Sequence, residues 1–363
     1  SVGANGTTAL GTDGQPLTQL TGNNCAANSN VGIYGRNYAL GNNPAQQDYW
    51  KYNRTDKTTD FSYVRLQSDL GSGFSLDNRG YMYGYTNNTL SGNTGSVVTG
   101  FSGAGTAASP YKAVPGPATD ILGYNKLNKY RVFGYIGQVN YDFALGKIRV
   151  GGWYEHAVTD RHLIDLDRTT NTFSYNEKFN NGNGTAAQLA LPSIDQANLS
   201  YVQHSNWNQY QLFGEFEFHP VEGLSITPGV KYVHFERGIA APVNQKTRLP
   251  LYTSQTWTKT LPFATINYMA MSNWSFYGQY AQGMYVPDLS SFYSASGTLS
   301  TALDALKPQT STNYQVGSVW HGNKVSVDVD GYVINIDNKI GSCTTTGCDQ
   351  TLLINIGKVR YKG

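Results

Sequence analysis

Long hydrophobic runs and charged side chains are what this sequence has least of. No apolar run in the 363 residues approaches 18 residues, which excludes membrane-spanning helices. Charged residues make up 14% of the chain and the formal net charge is +2. A charge this small does not indicate a nucleic acid or an anionic surface as a partner.

Cysteine is also scarce, and no secretion signal opens the chain. The first residues read as a loop, so we expect the chain to be an interior piece of a longer protein. Cys343 and Cys348 enclose four residues of one predicted loop, and this spacing predicts a disulfide in an oxidising compartment. Cys25 has no evident partner within the chain. The CxxxxC spacing is not that of a zinc site, and we predict neither a metal centre nor a cofactor.

Signals for an enzyme are weak. No GxSxG nucleophile motif occurs, and the polar stretch Asp160–His162 is interpreted as the solvated end of a strand. His156 and His162 lie six residues apart on one predicted strand, about 20 Å, and cannot share one ion. A metal-chelate contact from His162 or His204 is the less favoured interpretation. We predict that the protein is not an enzyme.

The sequence does contain long runs in which apolar and polar residues alternate. Two runs, Pro308–Trp320 and Lys324–Ile340, flank the tight connector His321-Gly322-Asn323. In the second run valines fall on one face, while serine, aspartate and tyrosine fall on the other. Runs of 13 and 17 residues exceed the strands of soluble sandwiches and are long enough to cross a bilayer at a tilt. An apolar and a polar face on such strands predict a transmembrane β-barrel, and a mean hydropathy of −0.41 does not contradict it because only alternate residues face lipid.

The connectors alternate strictly between short and long, which is typical of outer-membrane barrels. Short turns are predicted at 71–73, 144–146, 219–223, 271–273 and 321–323, and long connections at 86–129, 167–206, 240–255, 286–307 and 341–350. The eleven predicted strands are 60–70, 74–85, 130–143, 147–166, 207–218, 224–239, 256–270, 274–285, 308–320, 324–340 and one from Thr351 onward. Residues 1–58 are predicted to form an extracellular loop segment, and 59–363 part of the barrel domain.

Several motifs carry a resemblance to one family. Leu306–Gly317 reads LKPQTSTNYQVG and is similar to L-K-P-E-x-S-x-x-Y-E-x-G of TonB-dependent outer-membrane receptors, with Gln309 and Gln315 in place of glutamate. Asn355–Gly363 resembles the family's N-x-G-x-x-x-x-x-G, and Trp274–Met284 its Y-x-x-Y-x-x-G-F strand. Asp330–Ile340 resembles the strand before the next extracellular loop.

The resemblance implies a barrel of about 22 strands with a plugged lumen, of which this chain is a part without plug or TonB box. It implies a receptor in the outer membrane of a Gram-negative bacterium that imports a scarce ligand, most often a ferric siderophore or similar metal chelate, driven by the TonB complex through the plug. Its other partners are outer-membrane lipid and lipopolysaccharide, with no nucleic acid. A passive porin, an adhesin or outer-membrane enzyme, and TonB-dependent uptake of a saccharide or cobalamin stay open as alternatives.

Ligand selection is expected in the long loops, where tyrosine and tryptophan supply rigid amphipathic surface. The candidate ligand-binding residues are Tyr34, Arg36, Tyr111, Trp207, Tyr252, Trp257, Phe292 and Tyr293. Charges on the polar face are expected either to hold a plug or to tune selectivity in an open pore. They are Arg65, Asp77, Arg79, Arg149, Glu155, Arg161, Glu215, Glu217, Lys231, Asp328 and Asp330.

Overall fold

Antiparallel β-strands make up almost all of the described secondary structure. The computed structural model describes residues 43–104, 106, 108–109, 112–175, 198–245, 250–289, 292, 306–342 and 353–363. Its strands are β1 (Arg54–Gly71), β2 (Phe74–Gly92), β3 (Val98–Ser102), β4 (Lys112–Pro115), β5 (Leu122–Phe143), β6 (Gly146–Asp167), β7 (Thr172–Phe173), β8 (Leu199–Val221), β9 (Leu224–Val243), β10 (Leu251–Met271), β11 (Trp274–Tyr285), β12 (Gln309–His321), β13 (Ser326–Asp337), β14 (Ile340–Ser342), β15 (Leu353–Asn355) and β16 (Val359–Lys362). In the described part of the chain, no helix has the length and apolarity to cross a membrane.

The main sheet follows the order of the chain. Its strands are hydrogen-bonded in the order β1-β2-β5-β6-β8-β9-β10-β11-β12-β13-β16, and β7 pairs with β6. Ten of them are strands that the alternation predicts, whereas the eleventh, β16, begins at Val359 rather than at Thr351, because Leu353–Asn355 (β15) pairs with β14 in a separate two-stranded sheet. The short connectors are confirmed at all five places, and Gly223 adopts the positive φ of 76° that its tight turn requires. Short turns between neighbouring strands make the sheet antiparallel.

The chain divides into two compact units. One comprises Ser1–Thr58, Thr86–Asn128 and Arg161–Val202, and the other comprises Thr59–Tyr85, Lys129–Asp160 and Gln203–Gly363. Within the first unit Tyr52 is buried, and the guanidinium of Arg168 lies 5.9 Å from its ring centre. Burial lowers the pKa of Arg168. The Ser174 hydroxyl accepts a hydrogen bond from the Val98 amide at 3.0 Å, which fixes the hairpin of β3 and β4 at its base.

The faces of the second unit's strands are sorted by polarity as the sequence predicts. Gln315 pairs with Tyr332 and Val316 with Gly331 in the β12–β13 register, so that alternate residues point to opposite sides. The Gln315 amide donates to Asp330 Oδ2 at 2.6 Å on one side. On the other side Val329 is 65% exposed. We call these sides the polar face and the apolar face, and the assignment holds along β8 from Trp207 and along β9 as far as Tyr232.

Aromatic rings line the apolar face beside the short turns. Phe74 stacks on Tyr141 with ring centres 4.5 Å apart, and Tyr141 lies 6.0 Å from Phe143. Phe143 lies 5.8 Å from Phe216, which lies 5.6 Å from Phe218. This row across three strands has the composition of an interfacial aromatic girdle.

Glycines on the polar face make room for aromatic rings of the next strand. A Cβ at Gly229 would lie 2.2 Å from Cζ of Phe263, and one at Gly317 would lie 2.4 Å from Cζ of Tyr277. Each ring therefore covers a glycine and replaces the packing that the missing side chain would supply.

Several strand ends lie outside their predicted bounds, away from the short turns. β1 begins at Arg54 rather than 60, β2 ends at Gly92 rather than 85, and β8 begins at Leu199 rather than 207. The long connections predicted at 86–129, 167–206 and 240–255 are therefore wrong in extent, and His219 and His321 lie in β8 and β12 rather than in turns. The physical reason is that backbone pairing continues where side chains no longer alternate by polarity. The other strands that extend further are β5, β9 and β10, whereas β13 is shorter than predicted.

Candidate functional site

Ion pairs cross the polar face near one end of the sheet. Arg65 in β1 binds Asp77 in β2 through two hydrogen bonds, Nε to Oδ1 at 2.9 Å and Nη2 to Oδ2 at 2.6 Å. Arg79 binds the same carboxylate, with Nη2 2.7 Å from Oδ2. One carboxylate thus lies between two guanidinium groups, which leaves a net positive charge on this part of the polar face.

A second ion-pair group repeats the arrangement with the signs reversed. Arg149 in β6 places Nη1 2.5 Å from Glu215 Oε1 and Nη2 2.5 Å from Glu217 Oε2. Both glutamates lie in β8, two residues apart and so on the same face. Three of the predicted polar-face charges are therefore brought together here, and the group carries a net negative charge.

A carboxylate among aromatic donors forms a third group, which we call the Glu155 cluster. Tyr81 Oη donates to Glu155 Oε2 at 2.8 Å, and Trp207 Nε1 donates to Oε1 at 3.2 Å. Trp153 Nε1 donates to Tyr81 Oη at 2.8 Å. The Tyr83 ring lies 6.3 Å from that of Tyr81 and completes the cluster. Trp207, a predicted ligand-binding residue, is therefore held by hydrogen bonding in the polar face.

Arg237 in β9 is buried among aromatic rings. Its guanidinium carbon lies 5.1 Å from the ring centre of Phe235, 5.9 Å from that of Trp257 and 5.6 Å from that of Phe292. Its Nη1 donates to the Pro287 carbonyl at 2.5 Å. Two predicted ligand-binding residues, Trp257 and Phe292, thus meet at a cation that the sequence analysis did not single out.

An apolar core continues from Arg237. Ile239, Ala241, Leu251 and Phe292 are buried together, and Trp257 packs against them half-buried. Phe292 is only 1% exposed. A contact between Phe292 and a ligand would require the chain after β11 to move, and the ligand role of this residue stays a prediction.

Tyr252 and Trp257 are five positions apart in β10, an odd number, so their side chains point to opposite sides of the sheet. It is 65% exposed. It lines an open groove of about 600 Å³ together with Asp160, His204 and Asn206. His204 Nδ1 lies 2.7 Å from Asp160 Oδ1. None of these four groove residues belongs to the Glu155 cluster, and none contacts the guanidinium of Arg237 in the contacts described above.

The other predicted site residues lie outside the described residues. They are Tyr34, Arg36, Tyr111, Tyr293, Cys343 and Cys348, together with Cys25. Their roles, including the Cys343–Cys348 disulfide, stay predictions.

Two contributions of the structure were missed by the sequence analysis. Arg237 lies two residues after Phe235 and therefore on the same face of β9. A single arginine beside an aromatic residue on the polar face was the pattern that could have indicated this group. Tyr81 gave no signal, because it lies 74 residues from Glu155 in the chain. Trp153 lies two residues before Glu155 and so on the same face of β6, and this spacing was the available signal.

Two histidines of β6 lie beside asparagine side chains. His156 Nδ1 lies 2.7 Å from Asn208 Oδ1, and His162 Nε2 lies 2.8 Å from Asn125 Oδ1. Within the part of the chain that the structure describes, no group of three or more His, Cys, Asp or Glu side chains is placed to hold a metal ion.

Comparison with known proteins identifies the relatives of this chain. A family model described as "TonB dependent receptor-like, beta-barrel" matches residues 2–363. No curated protein matches. Solved structures with a similar fold include the ferric citrate transporter FecA in its unliganded form, with a TM-score of 0.54 and 13% identity, covering 86% of this chain and 39% of that one.

Two further structures are similar at the same level. The copper transporter OprC has a TM-score of 0.55 and 14% identity, covering 79% of this chain and 40% of that one. The pyoverdine outer membrane receptor FpvA from Pseudomonas aeruginosa PAO1 bound to pyoverdine has a TM-score of 0.55 and 12% identity, covering 86% of this chain and 42% of that one. This chain therefore spans less than half the length of each of these three proteins.

Proposed function

The chain belongs to the TonB-dependent receptor-like β-barrel family, and from this premise we propose that it is part of an outer-membrane receptor that imports a scarce metal chelate. The family is one of receptors and transporters rather than enzymes. The single observation that carries the proposal is the family match over 2–363. The proposed cargo is a ferric siderophore or a similar chelate, the class that FecA and FpvA are named for.

The proposed placement in the membrane follows from the faces of the sheet. The apolar face, with its row of aromatic rings beside the short turns, contacts lipid and lipopolysaccharide. The polar face lines the lumen, where the ion pairs of Arg65 and Arg149 meet a plug supplied by the rest of the protein. The short turns lie in the periplasm, residues 1–58 form an extracellular segment, and residues 59–363 contribute to the barrel.

The proposed ligand contacts lie where the chain leaves the membrane on the outer side. Trp207 and Trp257 are the described candidates on the polar face, and they lie in separate groups of side chains. Tyr252 lies on the other face and would meet a ligand only from outside the sheet. The remaining candidates are Tyr34, Arg36, Tyr111, Phe292 and Tyr293.

Uptake of radioactive iron tests the proposal. Cells that lack the gene are complemented with the full-length receptor and supplied with ⁵⁵Fe bound to citrate, to catecholates or to pyoverdine-type peptides. We expect accumulation of at least one chelate, and loss of accumulation when the inner-membrane potential is collapsed or TonB is deleted. A strain that carries the receptor without its plug is the matched control for passive leakage.

The outcome separates the alternatives. Accumulation that does not depend on TonB would contradict the proposal and indicate a passive porin. TonB-dependent uptake of a saccharide or cobalamin, without uptake of any iron chelate, would support the proposed receptor function and contradict the proposed ligand class.

A further inference from the structure

The Glu155 cluster differs from the two ion-pair groups of the polar face, those of Asp77 and of Arg149, in how its charge is compensated. Asp77 lies between Arg65 and Arg79, and Arg149 lies between two glutamates. Glu155 has no ion pair with any described lysine, arginine or histidine, and its carboxylate accepts hydrogen bonds from a tyrosine hydroxyl and an indole N–H. The cluster therefore presents one negative charge that neutral donors hold in place.

The carboxylate retains capacity to accept further hydrogen bonds. A carboxylate has about four lone-pair positions, and each oxygen of Glu155 accepts one of the bonds described. The two donors also fix the orientation of the carboxylate, since Trp153 in turn holds the Tyr81 hydroxyl at 2.8 Å. A ligand that binds here does not have to order this side chain first.

Aromatic rings surround this fixed charge on three strands. Tyr81 and Tyr83 come from β2, Trp153 from β6 and Trp207 from β8, and all four side chains are half-buried. Ring faces attract cations electrostatically, by about 0.5 to 2 kcal/mol for each contact, and tryptophan does so most strongly. A carboxylate beside two indoles and two phenols is complementary to an organic cation and not to an anion.

We propose that the Glu155 cluster is a binding subsite for an ammonium group of a small molecule in the lumen. Glu155 supplies the counter-charge, and Tyr81, Tyr83, Trp153 and Trp207 supply the rings on which the substituents of the nitrogen rest. This subsite deepens the proposed function, on which it rests, because it selects chelates that carry an amine over chelates that are only anionic. An arginine or lysine from elsewhere in the full-length receptor is the competing occupant.

Choline and its uncharged isostere 3,3-dimethylbutan-1-ol test the proposal directly. Saturation-transfer NMR on the purified full-length receptor reports contact between the methyl groups of each probe and protein protons. We expect choline to bind at least about tenfold more tightly than the isostere, since only the charge distinguishes them. This comparison needs no variant and stays decisive if a variant does not fold.

Two substitutions locate the binding. Glu155→Gln keeps the shape and the bond from Tyr81, and we expect it to weaken choline by at least about tenfold while the isostere is unchanged. Glu215→Gln is the matched control, because it makes the same change on the same face where Arg149 already compensates the charge. We expect wild-type choline binding in that variant.

The following results would overturn the proposal. The first is equal affinity of the receptor for choline and the isostere. The second is unchanged choline affinity in Glu155→Gln, and the third is no choline binding to the full-length receptor. The last result is the one expected if a cationic side chain of the same protein occupies the site. If choline does not bind but ⁵⁵Fe uptake is intact, the subsite is refuted and the proposed function is retained. If choline binds but no chelate is taken up, the subsite is retained and the proposed function is refuted.

Discussion

Arg237 should hold the chain after β11 against the polar face, and replacing it by methionine tests this role. Methionine keeps an unbranched stem of similar length in the space between Phe235, Trp257 and Phe292, so little cavity is created. It removes the charge and the bond to the Pro287 carbonyl. The sheet itself keeps its backbone hydrogen bonds, so the expected effect is local.

The magnitude follows from the contacts that are lost. A hydrogen bond from a charged donor contributes about 1.5 to 3 kcal/mol, and each cation–π contact about 0.5 to 2 kcal/mol. The cost of burying the guanidinium, which methionine does not incur, offsets part of this sum. We expect a net loss of about 2 to 4 kcal/mol in the local opening free energy, which is about 30- to 800-fold faster amide exchange.

Hydrogen exchange followed by mass spectrometry measures the effect in the full-length receptor. The peptide from Tyr285 to Phe292 should lose protection, while peptides of β5 and β6 should not change. Lys231→Met is the matched control, because it removes a cation from the same strand and face six residues away. Unchanged exchange in Arg237→Met, or an equal loss in Lys231→Met, would refute the reasoning.

Three further predictions can be tested independently. Gly229→Ala should lower the free energy of urea-induced unfolding by about 1 to 3 kcal/mol, because the Phe263 ring must move away from the new Cβ. Gly80→Ala should be tolerated, because its Cβ would meet no atom within 4 Å, and equal effects of the two substitutions would contradict this. Single cysteines at Ser102 and Glu222 should differ in labelling by an impermeant thiol reagent on intact cells, with Ser102 reactive; equal labelling of both would contradict the proposed orientation. Mass spectrometry of the non-reduced protein should find Cys343 bonded to Cys348, and free thiols or a bond from Cys25 to either would show this prediction to be wrong.

The sequence by itself determined the long strands of the main sheet, their order and their faces, but not the short strands β3, β4, β7 and β14. Alternation has a period of two, so Val327 and Val329 cannot share a side with Asp328 and Asp330, whatever the tertiary structure. Short turns at 71–73 and 271–273 fix which strands are neighbours, and the order of the sheet follows the chain. The ends of β1, β2 and β8 could not be read in this way, because backbone pairing there continues without a change of polarity from residue to residue.

Only the tertiary structure decided which side chains meet. Glu155 and Trp207 were each singled out from the sequence, but their contact joins positions 52 residues apart on neighbouring strands. The register between strands sets such contacts, and a shift of one residue would move every side chain to the other face. Burial of Arg237 under Phe292 depends on a segment that folds back onto β9 and β10, and no local pattern encodes where that segment comes to rest.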